Sequence, residues 1–263
     1  MRLQKSIYAT VITATLISTS FAVASAAEKE TGHMSHKDGH MAHWGYDGDS
    51  GPDHWSELDD KFSLCGTGLN QSPIDLTNMT QANMPAIHPT YTRGGTKIIN
   101  NGHTIQVNYE AGNYIDIDNK RFELKQFHFH APSENTMDGK HFPLEAHLVH
   151  ASADGSLAVV ALMFSEGKFN PELEKAWVEM PTKTDKEVTL KKPVDVSKLL
   201  PGNLDYYRFN GSLTTPPCSE GVRWLVIKEP VYASKAQIKK FSSVMKHPNN
   251  RPVQPLNARQ VLK

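Results

Sequence analysis

Gln126-Phe127-His128-Phe129-His130 alternates polar and aromatic side chains with a period of two, the mark of a β-strand whose faces meet different surroundings. His128 and His130 then project together, about 6–7 Å apart at Cα, with Phe127 and Phe129 packed behind. Upstream, Phe122 and Leu124 would fall on the histidine face of a regular strand, a conflict that a bulge near Lys125 or Gln126 resolves. A second segment, Glu145-Ala146-His147-Leu148-Val149-His150, reads the same way. Glu145, His147 and Val149 share one face, and Ala146, Leu148 and His150 share the other. A histidine pair two residues apart is weak by itself, because many such pairs are exposed or hydrogen-bonded. The second segment adds a third imidazole with a carboxylate two residues away that can take its other ring N–H, and Gln126 can serve His128 likewise. His150 has no such neighbour and reads as a buried structural histidine. Three neutral imidazoles leave a fourth tetrahedral position open for water, the catalytic rather than the structural zinc pattern.

The surrounding sequence extends the β reading. Thr104 to Tyr109 and Tyr114 to Asp118 alternate, and Leu157 to Phe164 is an unbroken apolar run suited to a strand buried on both faces. Helices are few and short: Asn170-Pro171 caps one running to about Met180, and Ser234 caps another through Lys246 with Ile238, Phe241 and Met245 inward. The fold class is mainly β (α/β by some schemes), a single domain on a large, twisted, mostly antiparallel central sheet with peripheral helices. No internal repeat or long linker divides the chain after Trp44.

Composition sets the bounds. In 263 residues, 38% apolar and 21% charged, there is material for a core and none of the bias of collagen, coiled coil or a polytopic membrane protein. Lys plus Arg equals Asp plus Glu at 28 each, so net charge points neither to nucleic acid nor to an anionic membrane. Arg2 and Lys5 precede an apolar stretch from Ile7 to about Val23 that ends in Ala24-Ser25-Ala26. Residues 1–26 therefore read as a signal peptide, and the stretch is short for an uncleaved anchor; no membrane span follows cleavage. The destination is periplasmic or secreted. There the two cysteines, Cys65 and Cys218, are most economically one disulfide, worth about 5 kcal/mol in the loop-entropy model; two buried thiols are the alternative. Residues 27–43 form a histidine-rich leader with His33, His36, His40 and His43, read as a solvated, mobile arm, with metal capture as the rival reading.

From Trp44 to the end the chain resembles the α-class carbonic anhydrases of the exported bacterial type. The resemblance is carried by Gly51-Pro52-Asp53-His54-Trp55, Gln71-Ser72-Pro73-Ile74, Asn100-Asn101-Gly102-His103, the two histidine segments and Ser133-Glu134. Gly211 to Pro217, Asn249-Asn250-Arg251-Pro252 and Gln254-Pro255-Leu256 complete it. The resemblance implies a catalytic domain over 44–263 that hydrates CO2 reversibly to bicarbonate and a proton, by attack of a zinc-bound hydroxide. It implies one Zn2+ per chain on His128, His130 and His147, with Gln126, Glu145 and the backbone near Asn249 holding those ligands. Thr214 and Glu134 match the pair that orients the hydroxide: an ionised Glu134 only accepts, so Thr214 donates to it and offers its lone pair inward. His103 matches the proton shuttle. It follows an Asn-Gly hairpin signal and is expected to start the next strand.

Val149, Val159, Leu213, Val222 and Trp224 are implied as the apolar wall for CO2, beside Thr214 and Thr215, while Asn101, Gln106 and Thr215 line the wet side. Cis bonds are implied at Ser72-Pro73 and Pro216-Pro217. Inhibitors of the sulfonamide and anion type are implied ligands, and the homodimers common among exported bacterial relatives leave a homodimer open here. Ala131 and Gln106 depart from the residues that other members carry, which affects the cavity lining and no metal ligand. The rival functions are a non-catalytic zinc-binding relative and a periplasmic metal-binding protein; a complete ligand set discriminates against the first.

Overall fold

The sheet grows outward from the two histidine strands. The computed structural model describes residues 43–263, so the signal peptide and all of the leader except His43 lie outside the described residues. In chain order the strands are β1 (Asp75–Leu76), β2 (Arg93–Asn100), β3 (Ile105–Tyr109), β4 (Tyr114–Ile117), β5 (Lys120–His130), β6 (Thr136–Met137) and β7 (Lys140–His141). They continue with β8 (Leu144–Ala151), β9 (Leu157–Glu166), β10 (Lys186–Asp195), β11 (Tyr206–Ser212), β12 (Glu220–Ile227) and β13 (Val231–Ala233). The α-helices are α1 (Trp55–Leu58), α2 (Leu64–Thr67), α3 (Pro171–Val178) and α4 (Lys235–Met245).

Ten strands make the main sheet, in the order β10-β2-β3-β5-β8-β9-β12-β11, with β4 also on β5 and β13 also on β9. Every pairing in it is antiparallel except β9 with β12 and β9 with β13, as a mostly antiparallel sheet requires. β1, β6 and β7 form a small separate sheet.

Period-two alternation divides the core packed on the main sheet into two clusters on opposite faces. Ala158, Val160, Leu162 and Phe164 of β9 join Phe127, Phe129 and Leu148, covered by Trp177 of α3 and Phe241 of α4. Val159, Ala161 and Met163 face the other way, with Phe209, Val222 and Trp224. Full burial of each valine, leucine, methionine or phenylalanine among them contributes about 1.5–3 kcal/mol. The bulge lies at Lys125: Leu124 pairs with His150 and Gln126 with Val149, leaving Lys125 unmatched. The extra residue puts Phe122 and Leu124 in the core with Phe127 and sends Gln126, His128 and His130 to the other face.

The two longer helices start where their caps predict. Asn170 accepts from the N–H groups of Glu172 and Leu173, and Ser234 with Gln237 forms a capping box. The first ends at Val178, two residues short of Met180, and in the second Phe241 and Met245 are buried while Ile238 is half-buried. Cys65 and Cys218 form a disulfide. Cis bonds occur at Ser72-Pro73 and Pro216-Pro217, and also at Ala131-Pro132, which the sequence reading did not anticipate. Among the described residues no helix is long and apolar enough to cross a membrane.

Candidate metal centre

Strand register builds the site. In the β5–β8 ladder His128 sits directly opposite His147, and His130 opposite Glu145. The three imidazoles each offer a nitrogen such that all three lie within 4.8 Å of one another. The other nitrogen of each ring is engaged. His128 Nδ1 lies 2.8 Å from Gln126 Oε1, and His130 Nδ1 donates to the Asn249 carbonyl at 2.7 Å. His147 Nε2 lies 2.9 Å from Glu145 Oε1, at an angle that makes it a close electrostatic contact and leaves that nitrogen without a regular hydrogen bond. The nitrogens facing the centre are therefore Nε2 of His128, Nε2 of His130 and Nδ1 of His147. His130 Nε2 is buried with no hydrogen-bond partner, an orphan that a metal ion would satisfy. Burial, and then the neighbouring imidazoles, push His128 and His147 well below the usual histidine range. Burial also lowers His130, against the opposing pull of the Asn249 carbonyl. Neutral imidazole is the form that ligates, so this donor set fits zinc.

Two buried carboxylates back the cluster. Glu145 accepts at Oε2 from the N–H groups of Glu134 and Asn135 at 2.7 and 2.9 Å, and at Oε1 from Asn135 Nδ2 at 2.8 Å. It thus faces His147 and at the same time pins the backbone that carries Glu134, a second task its sequence position did not reveal. Glu134 Oε1 accepts from Arg251 N at 2.8 Å, while Oε2 lies 3.5 Å from His130 Nε2 and 3.8 Å from His147 Nδ1. Burial pushes the Glu134 carboxyl up to about 8, opposed by the Arg251 N–H and by the Thr214 hydroxyl beside it. Thr214 is near enough to favour the carboxylate, yet Oε2 has no hydrogen bond of regular geometry. A dication at the imidazole cluster, the largest local charge, would favour ionised Glu134.

Arg251 has contacts that its sequence motif does not disclose. Its guanidinium is buried, donating through Nη1 to Gln71 Oε1 and the Ser72 carbonyl and through Nη2 to the Cys65 carbonyl, each at 2.8 Å. Burial pulls it down to about 10. It joins the disulfide region to Glu134. On the other side of the bridge, Cys218 N–H donates to the Thr215 carbonyl at 2.9 Å, so the disulfide braces the Thr214 loop.

The apolar residues assemble as a wall. Val149 pairs with Val159, and Val159 with Trp224; the Trp224 ring stands edge-on to His147 at 4.8 Å between centroids. Val222 is buried, and Leu213 and Thr215 are half-buried. On the opposite flank Gln106 pairs with His128. His103 corrects an expectation. It sits in the turn, and β3 begins only at Ile105, because Asn101 Oδ1 accepts from the N–H groups of both His103 and Thr104 and so closes the loop over Gly102 and His103. The side chain of Asn101 is thus spent on the turn. The His103 ring stacks on Trp44, 3.7 Å between centroids and 8° from parallel, a contact the sequence did not signal. His150 lies on the opposite face from His147, with Nε2 2.7 Å from the Tyr91 hydroxyl, as a structural histidine should.

Residues 50–263 match the family model described as eukaryotic-type carbonic anhydrase. A carbonic anhydrase of Pectobacterium carotovorum is 56% identical over 220 residues, covering 84% of this chain and 90% of that one. One of Klebsiella pneumoniae is 48% identical over 223 residues, covering 84% and 91%. Among solved structures, the α-carbonic anhydrase of Thermovibrio ammonificans in complex with the inhibitor sulfanilamide superposes with a TM-score of 0.84 at 52% identity, covering 85% of this chain and all of that one. With its three-imidazole cluster and this sheet, the chain belongs to the eukaryotic-type, or α-class, carbonic anhydrase family.

Proposed function

We infer that His128, His130 and His147 hold one zinc ion and that the family's reaction, CO2 + H2O ⇌ HCO3− + H+, runs at that centre. The observation that carries this reading is the nitrogen arrangement: three inward nitrogens within 4.8 Å of one another, the other three each facing an oxygen. Zinc, when bound, would supply a Lewis acid that brings the pKa of a water it holds to about 7, as in carbonic anhydrases generally.

The protein's own groups orient and drain the site. Ionised Glu134 has only lone pairs to offer, so the Thr214 hydroxyl donates to it and is left with lone pairs facing inward. Whatever occupies the centre must then present a proton to Thr214, which turns its remaining lone pair toward the substrate. CO2, being nonpolar, rests against Val149, Val159, Leu213, Val222 and Trp224, with Thr215 at the edge. His103 takes the released proton toward solvent. A complete ligand set, with both Thr214 and Glu134 present, supports catalysis over the non-catalytic and metal-storage readings. The signal-peptide pattern of residues 1–26 and the disulfide support export to the periplasm or beyond, and the sulfanilamide complex of the Thermovibrio relative supports sulfonamides as ligands here.

The test is stopped-flow CO2 hydration by the mature chain, before and after chelation and after zinc is restored. Activity that disappears with the metal and returns with it is the expected result. Zinc-loaded protein without hydration would overturn the reading and with it the Thr214, Glu134 and His103 roles.

A further inference from the structure

At the β2–β3 turn lies a cavity of about 510 Å3 that gathers three histidines from distant parts of the chain. His43 comes from the N-terminal edge of the described residues, His103 from the β2–β3 turn and His247 from the segment after α4. The His43 and His103 rings are 6.5 Å apart between centroids. His247 is half-buried, with its ring 6.2 Å from that of Tyr46. Its Nδ1 lies 2.9 Å from the Pro248 carbonyl. A carbonyl only accepts, so Nδ1 carries the hydrogen and Nε2 keeps a lone pair free to take a proton. The segment is also anchored to the centre: two residues on, Asn249 holds His130 through its carbonyl and His103's carbonyl through its side-chain amide.

We propose that His247 and His43 are proton-exchange stations beyond His103, so that protons leave through an array of imidazoles at the rim rather than from His103 straight to dissolved buffer. The proposal rests on the reading of His103 as the relay. In the transfer, an N–H bond of the His103 imidazolium breaks and an N–H bond forms at the free nitrogen of a neighbouring ring, directly or across one water. Charge travels with the proton. His103 returns to its neutral form, ready for the next cycle, and the outer imidazolium loses its proton to buffer. No other reactant is needed.

The surroundings favour outward movement. Burial, then the positive forms of His43 and His247, lower His103 below the usual histidine range, while Asp185 opposes them. A relay held low gives its proton up readily to outer rings. The charged and titratable groups facing this cavity are His43, Tyr46 and Asp47 from the N-terminal segment, Asp185 from the loop before β10, and His247. Asp47 and Asp185 are exposed carboxylates.

The experiment compares the zinc-loaded mature chain with His247→Gln, His43→Gln and the double variant, by stopped-flow CO2 hydration in weak buffer and again in concentrated imidazole. In weak buffer the double variant should lose kcat by roughly threefold or more, with kcat/KM unchanged, and concentrated imidazole should restore it. In 15N-imidazole titrations the His103 pKa should rise when the two neighbours are neutral amides. An unchanged kcat in weak buffer would overturn the proposal and leave CO2 hydration standing. A loss that extends to kcat/KM or resists imidazole would also overturn it, since it would mark a structural role. Wild-type protein with no zinc-dependent hydration would instead remove the reading on which the proposal rests.

Discussion

Replacing Asn249 tests whether the outer contacts of the metal centre act as one unit. Its side chain is fully buried and makes three hydrogen bonds. Oδ1 accepts from Ala131 N–H at 2.9 Å, and Nδ2 donates to the Phe129 carbonyl at 2.9 Å and to the His103 carbonyl at 3.1 Å. Asn249→Ala removes all three and leaves the Ala131 N–H buried without a partner. The Phe129 carbonyl keeps the Thr104 hydroxyl at 2.6 Å, and the His103 carbonyl is partly accessible to water. One orphaned buried donor costs about 1–3 kcal/mol, and each of the other two bonds about 0.5–1.5 kcal/mol. The expected loss is therefore about 2–6 kcal/mol in denaturant unfolding of the mature chain. The carbonyl that holds His130 Nδ1 is no longer fixed from its own side chain, so zinc affinity measured by chelator competition should fall about 10–100-fold.

Asn249→Asp sharpens the test. The shape is kept, but an acceptor now faces two carbonyls, so the loss should match or exceed that of the alanine variant. An alanine variant within about 1 kcal/mol of wild type and with unchanged zinc affinity would refute the reasoning, as would an aspartate variant milder than the alanine.

Glu134→Gln should keep zinc content, by metal analysis, yet lower kcat about 10²–10³-fold. The Arg251 N–H claims the amide oxygen, which leaves the amide NH2 to donate to Thr214 and reverses the hydroxyl's direction; unchanged turnover would remove the orientation argument. His150 predicts a pH dependence of stability. Burial holds it down at about 4 against an ordinary 6.5, so between those values the unfolded chain binds the extra proton. Its contribution is therefore present above about pH 6.5 and lost as pH falls to about 4, up to about 3 kcal/mol. Denaturant unfolding of wild type and His150→Phe, both zinc-loaded, should differ in slope over that window; parallel curves would show that His150 is not the group responsible.

What the sequence made legible was local. Period two placed His128, His130 and His147 on their faces, the misfit of Phe122 and Leu124 located the bulge, and Asn170 and Ser234 marked helix starts. Each of these is decided within a few residues. What it left dark involves partners far along the chain: Tyr91 for His150, Arg251 for Glu134, and Trp44 for His103. Periodicity says which way a side chain points, and it is silent on what another segment brings to meet it. The turn at His103 was misjudged for a different reason. Asn101 supplied its own side-chain oxygen to the loop, a competition between side chain and backbone that a hairpin dipeptide does not disclose.

Strand order, the least local feature of all, gives the site its two characters. Along one face of the sheet, a row runs from Asn108 through Gln126, Val149 and Val159 to Trp224, and the next from Gln106 through His128 and His147 to Ala161. Polarity therefore falls off sideways, from the amides of β3 across the imidazoles of β5 and β8 to the aliphatic and indole surface of β9 and β12. Hydrogen-bonding groups, with His103 in the turn before β3, therefore lie on one flank of the imidazoles, and dry surface of the kind that suits a nonpolar molecule lies on the other. No single strand encodes that gradient, since each only alternates. It arises because β3, β5, β8, β9 and β12 lie side by side in that order, which makes the pairing of β9 with β12 as much a part of the site as the metal ligands. Val159 is buried in that dry surface, so Val159→Thr, which keeps its shape and adds a hydroxyl, should slow CO2 hydration in stopped flow while zinc content by metal analysis stays unchanged; unchanged turnover would refute the gradient argument.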